Sequence, residues 1–432
     1  MRTPIVDFVQ SYAESNALRL HMPGHKGEGP VEKFDLTEID GADVLYHAQG
    51  IILESQKNAA ALFGTAKTVY STEGSSLVIR AMLYLAKIHG KNNRILAARN
   101  AHKSFMTAAA LLDLEVEWLF SKEQSLLSCP IGAQELEDAL SEGEPPIAVY
   151  ITSPDYLGHV ADIKALSEVC HRHSTILLVD NAHGAYLQFL DRHPIALGAD
   201  LCCDSAHKTL PVLTGGAYLH IAKEGPFCEQ AELAMSIFAS TSPSYLILQS
   251  LDAANRYLAD GYRERLRAFS TAVEKTKKHL SAYAQVSEEP LKITLAPKSF
   301  GYTGTQIAEI LQEQNIVCEF SDPDFVVMML TPELGLEGLE RLENALLSIE
   351  KRVPILEKAP SVVSPVRCMS PRQALFSVSQ ELPIASCVDK ILATPSVTCP
   401  PAIPIVVCGE KIDEQAIACM QYYGITTCRV II

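Results

Sequence analysis

The sequence predicts an α/β protein: a large, mostly parallel sheet with helices on both faces, followed by a smaller C-terminal α+β domain. Three observations carry this. Short runs that are apolar throughout, such as "TILLVD" and "ADLCC", alternate with amphipathic stretches, the pattern of strands buried on both faces and separated by helices. The length of 432 residues exceeds what one hydrophobic core usually organises. Around residues 260–280 the texture changes to the charged helix "GYRERLRAFSTAVEKTKKHLSAY", a bridge to a region with its own strand and helix order.

In chain order, "TVY" near 68 reads as a strand and "SLVIRAMLYLAKIHG" as the helix after it. "RILAA", "EVEWLF" and "IAVYIT" read as strands, and "ADIKALSEVCHRH" as a helix. "TILLVD", "ADLCCD" and "GGAYLHIA" complete the strand set of the large domain. Beyond the charged helix, "LKITLA", "TGTQIAEILQEQ", "FVVMMLT" and "GLERLENALLSIEKR" alternate strand and helix. "EKAPSVVSPVRCMSP" reads as a connector before a last portion containing "TCPPAIPIVVCGE". The expected division is an N-terminal segment 1–45, a large domain 46–265 and a small domain 266–432.

Composition narrows the function classes. Hydrophobic residues make up 48% and charged residues 20%, with no low-complexity tract. The 36 basic and 51 acidic residues give a formal charge of −15, which argues against nonspecific binding to nucleic acid or to anionic membranes. No apolar run reaches membrane-spanning length, and "MRTPIVDFVQSYAES" lacks the apolar core of a secretion signal, so a cytoplasmic protein is expected. Twelve cysteines without CxxC pairs read as small buried hydrophobes, Cys202 and Cys203 among them.

In a doubly covered sheet, ligands bind beyond the carboxyl ends of the strands, so the residues after each run matter most. After "TVY" comes "STEGSS", where Gly74 lets the backbone approach a ligand and Ser75 and Ser76 offer hydroxyls and amides at a helix start, a competent phosphate cradle. An ordinary Ser N-cap with a turn glycine is the other reading of this stretch. Asp180 stands at the tip of "TILLVD", where it either caps the next turn or serves chemistry. Lys208 closes the next strand, in "DSAHKTL"; partial desolvation there frees an amine to attack a carbonyl. A phosphate cradle, a strand-end Asp and a strand-end Lys together match the needs of pyridoxal 5'-phosphate: a lysine to hold its aldehyde and a carboxylate to keep its ring nitrogen protonated.

The chain resembles the Orn/Lys/Arg decarboxylases in "LHMPGHKG" (20–27), "DLTEIDGAD" (35–43), "RNAHKS" (99–104), "VDNAHG" (179–184), "DSAHKT" (204–209), "STSPSY" (240–245), "MSPRQA" (369–374) and "CPPAIPIVVCGE" (399–410). The resemblance implies the fold type I of pyridoxal-phosphate enzymes, in a short form. It also implies decarboxylation of arginine, lysine or ornithine, and a homodimer with shared active sites. Lys208 would then hold the cofactor, Asp180 its pyridine nitrogen, Ala182 one ring face and His102 the other. Ser75, Ser76, Ser205 and His207 would hold the phosphate, with Ser240 reaching a neighbouring subunit's phosphate. Alternatively, "STSP" is an N-cap before a helix-starting proline.

Departures from the family pattern are Glu73 before the cradle glycine, Ala48 and Gln49 in "YHAQG", Ala402, and Cys408. Glu73 must point away from a phosphate or be paired. Substrate choice calls for an acidic or polar partner for a cationic side chain. Glu319 and Asp322 are candidates, with exposed strand-end charges as the plainer reading. An aminotransferase or β-eliminase on the same fold, or a silent scaffold, are the alternatives; the first would need an arginine such as Arg367, Arg372 or Arg429 for the α-carboxylate.

Overall fold

A computed structural model describes residues 1–121, 129–360, 365–398 and 404–432. The chain opens with α1 (Pro4–Glu14), then runs through turns to α2 (Ile51–Phe63), which stops where Gly64 turns left-handed. Next come β1 (Lys67–Ser71), α3 (Ser75–His89), β2 (Arg94–Ala98), α4 (Lys103–Leu112) and β3 (Glu115–Leu119). They are followed by α5 (Ala133–Leu140), β4 (Ala148–Thr152), α6 (Ile163–Arg172) and β5 (Ile176–Asp180). β6 (Leu201–Asp204), a single turn α7 (Ala206–Thr209), β7 (Ala217–Ile221), α8 (Pro226–Ser236), α9 (Tyr245–Ala259) and α10 (Tyr262–His279) come next. A second set comprises β8 (Ala284–Gln285), β9 (Lys292–Ala296), α11 (Gly304–Glu313), β10 (Phe320–Ser321), β11 (Val326–Met329) and α12 (Gly335–Leu347).

The chain forms two compact units. One comprises Met1–Asn92, Ile147–Val149 and Ile163–Glu264; the other comprises Asn93–Pro146, Tyr150–Asp162 and Arg265–Ile432. In the first, the strand order is β1-β7-β6-β5. β5 and β6 are parallel, with Asp180 opposite Cys203, whereas β7 runs antiparallel to both β6 and β1. These strands are buried almost residue for residue, as runs without polar alternation require. Cys202 and Cys203 are wholly buried, in keeping with their reading as core residues. Helix α3 packs on β6 and β7, and α1 is tied in by Asp252, whose Oδ2 accepts the N–H groups of Ile5 and Val6 at 2.9 and 3.0 Å.

In the second unit β2 and β3 pair in parallel, and a four-stranded antiparallel sheet has the order β10-β11-β9-β8 with α11 packed on it. Arg99, wholly buried, makes a two-pronged ion pair with Glu410, both bonds 2.7 Å. A further core gathers Leu392, Ile405, Val406, Ile412, Met420 and Val430 around the helix Glu414–Tyr422. Ala402 lies outside the described residues; Cys408 is buried in this region.

Candidate active site

The residues singled out at strand ends in the first unit converge on the tips of β5 and β6. Gly74 precedes α3 with φ 72° and ψ −178°, a conformation that only glycine adopts without strain. A Cβ built there meets no atom within 4 Å, so the backbone borders open space at the start of a fifteen-residue helix. Ser75 and Ser76 are the first two helical residues, and Gly74, not a serine, is the N-cap. Their amides belong to the first turn of the helix, where the positive end of the helix dipole lies.

The glycine pair after Lys208 organises this cradle. Gly74 N–H donates to the Gly215 carbonyl at 2.7 Å, and His207 N–H donates to the Gly216 carbonyl at 3.2 Å. A Cβ on Gly215 would come within 2.8 Å of the Thr72 carbonyl oxygen, so only glycine permits this approach. His207 Nδ1 also lies 3.2 Å from the Gly216 oxygen and 3.3 Å from Ser205 Oγ. Burial pushes the His207 imidazole below its ordinary pKa, and the nearby Lys208 adds to this against the opposing Gly216 bond. The Cys203 thiol donates to the Ser75 carbonyl at 3.6 Å, linking the start of α3 to the end of β6.

Lys208 sits half-buried in the single turn α7. Its Nζ lies 3.1 Å from Nε2 of His183, three residues beyond Asp180. Asp180 is buried at the β5 tip, and its Oδ1 accepts the Ala182 N–H at 3.2 Å. Neither the His183 contact nor the neighbouring buried side chains of Asn181 and Asp204 were anticipated from sequence, although His183 stands within "VDNAHG". Glu73 is paired: its Oε1 accepts the Ser240 N–H at 2.7 Å. Ser240 is exposed, and the cap of α9 is Ser244, so "STSP" does not start that helix with its proline.

His102 belongs to the second unit, where it caps α4; its Nδ1 accepts the Ser104 N–H at 3.2 Å. Among the substrate candidates, Glu319 is exposed and accepts the Tyr156 hydroxyl at 3.0 Å. Asp322 departs from the expected exposed charge: it is buried, because its Oδ1 closes a turn by accepting the N–H groups of Asp324 and Phe325 at 2.7 and 2.6 Å. Arg367 and Arg372 donate to the backbone carbonyls of Val116 and Leu111, and Arg429 pairs with Glu381.

An amine, a strand-end carboxylate, and the amides and hydroxyls of a helix start beside an open glycine cradle form the donor set that a phosphorylated pyridine aldehyde requires. The residues present fit pyridoxal phosphate.

Comparison with known proteins agrees. The pattern of the Orn/Lys/Arg decarboxylase major domain matches residues 3–289. The chain is 29% identical to an arginine decarboxylase of Halalkalibacterium halodurans, over 96% of this chain and 92% of that one. It is 28% identical to an arginine decarboxylase of Bacillus subtilis, again over 96% and 92%. A lysine decarboxylase of Francisella novicida superposes with a TM-score of 0.79 at 18% identity, covering all of this chain and 81% of that one. The fold is thus the α/β fold type I of pyridoxal-phosphate enzymes, built on a large, mostly parallel sheet.

Proposed function

The chain belongs to the Orn/Lys/Arg decarboxylase family, whose members remove the α-carboxylate of a basic amino acid with pyridoxal phosphate, and from that premise we propose arginine as its substrate. Support for arginine comes from the two curated relatives described above, which act on arginine by name. The observation that carries the chemistry is the convergence of Lys208, Asp180 and the glycine cradle on adjoining strand tips.

Pyridoxal phosphate, when bound, supplies an electron sink for the pair released as CO2 leaves. Lys208 would hold the cofactor through its amine, and His183, whose Nε2 lies 3.1 Å from that amine, would be placed to take a proton from it. Asp180 would keep the pyridine nitrogen protonated, and Ala182 would offer the ring a small apolar face. Ser75, Ser76, Ser205 and His207 bind the phosphate, and Ser240 does so for a neighbouring subunit. By the family resemblance His102 would stack on the other ring face, and the proton at Cα would come from Lys208 or from an acid near His102. Residues 46–265 serve as the cofactor domain and 266–432 as the small domain, with 1–45 as a leading segment.

We place the reaction in the cytoplasm, where it makes a polyamine or its precursor, and assign the active form as a homodimer. The eleven described cysteines are all free thiols, which suits a reducing compartment.

The test is product analysis with arginine, lysine and ornithine in parallel. Agmatine from arginine alone is expected; conversion of none of the three removes the assignment. Lys208→Ala should abolish the absorbance band near the visible edge. Asp180→Ala should keep bound cofactor yet slow turnover by several orders of magnitude, and an unaffected rate disproves the role given to Asp180.

A further inference from the structure

Asp204, the last residue of β6, is wholly buried, as are His193 and His220. A carboxylate withdrawn from water is costly unless its oxygens are engaged, and here both are. Oδ2 accepts the Nε2–H of His193 at 3.0 Å and stands 3.3 Å from Nε2 of His220. Oδ1 accepts the side-chain amide of Asn181 at 2.6 Å. The outer ring nitrogens are occupied as well. Ile195 N–H donates to His193 Nδ1 at 3.3 Å, and Thr68 Oγ1 lies 2.8 Å from His220 Nδ1. Because His193 Nδ1 accepts a backbone N–H, this ring turns its Nε2–H toward the carboxylate, while His220 Nε2 meets the same oxygen as a 3.3 Å polar contact. Phe63 stacks on His220 at 4.5 Å and meets His193 edge-on at 5.6 Å, which fixes both rings.

The place of the Asn181–Asp204 bond gives it meaning. Asn181 lies between Asp180 and Ala182, and Asp204 immediately precedes Ser205 in the turn that carries Lys208. The ladder between β5 and β6 ends at Asp180 opposite Cys203, after which Asn181 N–H reaches the Cys203 carbonyl at 2.9 Å. Beyond that point no strand pairing holds the two tips in register, and the side-chain bond takes over. A packing role alone needs no buried charge; a short bond to an ionised acceptor is directional and stiff.

We propose that Asp204 is a positioning residue: braced by His193 and His220, it grips Asn181 and thereby sets the separation of Asp180 from Lys208. This rests on the reading that the two face one bound pyridoxal phosphate. Displacements of about 1 Å at such a pair matter, because the ring nitrogen and the aldehyde are at fixed places on one rigid molecule. His193, Asp204 and His220 are also ligand types for a divalent metal. Their direct contacts at 3.0 and 3.3 Å, with each outer nitrogen engaged, describe a group closed on itself instead.

The experiment uses Asn181→Ala, which removes the grip and leaves the buried carboxylate with its two imidazoles, alongside Asp204→Asn. Readouts are the melting temperature without cofactor, pyridoxal phosphate affinity by titration, and visible circular dichroism of the bound cofactor, which reports how rigidly the ring is held. For Asn181→Ala the cofactor-free melting temperature should fall, because the buried Oδ1 of Asp204 loses its short amide donor, while the protein stays folded through the contacts of Oδ2. Affinity should fall about ten- to a hundredfold, the loss expected for a bond to a charged group, with a weakened dichroic band. Unchanged affinity and dichroism in Asn181→Ala overturn the proposal, whether or not Asp204→Asn folds. One equivalent of metal bound by wild type and lost from Asp204→Asn overturns it also. A wild-type protein that binds no pyridoxal phosphate overturns the underlying reading and this proposal with it, whereas normal wild-type binding with unaltered variants overturns the proposal alone.

Discussion

Gly74 shows how much a single backbone dihedral decides in this site. At φ 72° and ψ −178° an alanine is strained, while the space its methyl would enter is open. The cost of Gly74→Ala is therefore conformational rather than steric, about 1–3 kcal/mol. It falls on the turn that presents the first amides of α3. Calorimetric unfolding should show that loss, and cofactor titration should show weakened binding; a variant as stable as wild type would mean that the turn relaxes freely. Glu73 is instructive in a different way. Its carboxylate beside a phosphate cradle looks hostile in sequence, and the structure answers by giving it the Ser240 N–H to accept, 167 residues away.

Among the elements, the parallel register of β5 and β6 sets Asp180 opposite Cys203, so that Ser205 follows at the adjoining tip. In the second unit, the end of β2 is held to the turn after Val407 by Arg99 and Glu410. Their paired bonds are supplemented by the Val407 N–H on Glu410 and by the Trp118 ring, 4.9 Å from the guanidinium. Removing one partner leaves the other buried without compensation, which typically costs about 3–5 kcal/mol. Glu410→Ala should accordingly be far more destabilised in urea than Arg99→Met combined with Glu410→Leu, where no charge remains. Equal losses in the two would show that packing, not charge, is what the pair supplies.

For the molecule as a whole, the pH dependence of stability follows from groups that burial has displaced. Desolvation pushes the Asp252 carboxyl up to about 6, against the bonds from Ser55, Val6 and Ile5. A carboxyl raised in the folded state binds its proton earlier than in the unfolded chain. It therefore adds stability as pH falls from about 6 toward the unfolded value near 3.9, and it costs stability above that window. His220 acts in the opposite sense: burial lowers its pKa, so the folded state resists protonation and stability is lost as pH falls below about 6.5. Asp252→Asn should then gain in melting temperature relative to wild type more at pH 8 than at pH 5. A gain of equal size at both values would show that Asp252 does not titrate there.

What was legible in the sequence was local: apolar runs mark strands, the residue after each run marks a tip, and Gly74, Asp180 and Lys208 follow from chain order alone. The family motifs added roles to those positions, with Ser75, Ser205 and His207 among them. The contact of His183 with Lys208, the pairing of Glu73 with Ser240, the burial of Asp322 and the grip of Asp204 on Asn181 came only with the fold. The physical reason is that a side chain's partner is set by strand register and by the path of distant loops. His193, Asp204 and His220 lie on two strands and a loop that become neighbours only when β6 pairs with β7. Residue spacing along the chain carries the chemistry available at each tip; packing in three dimensions decides which of those groups meet.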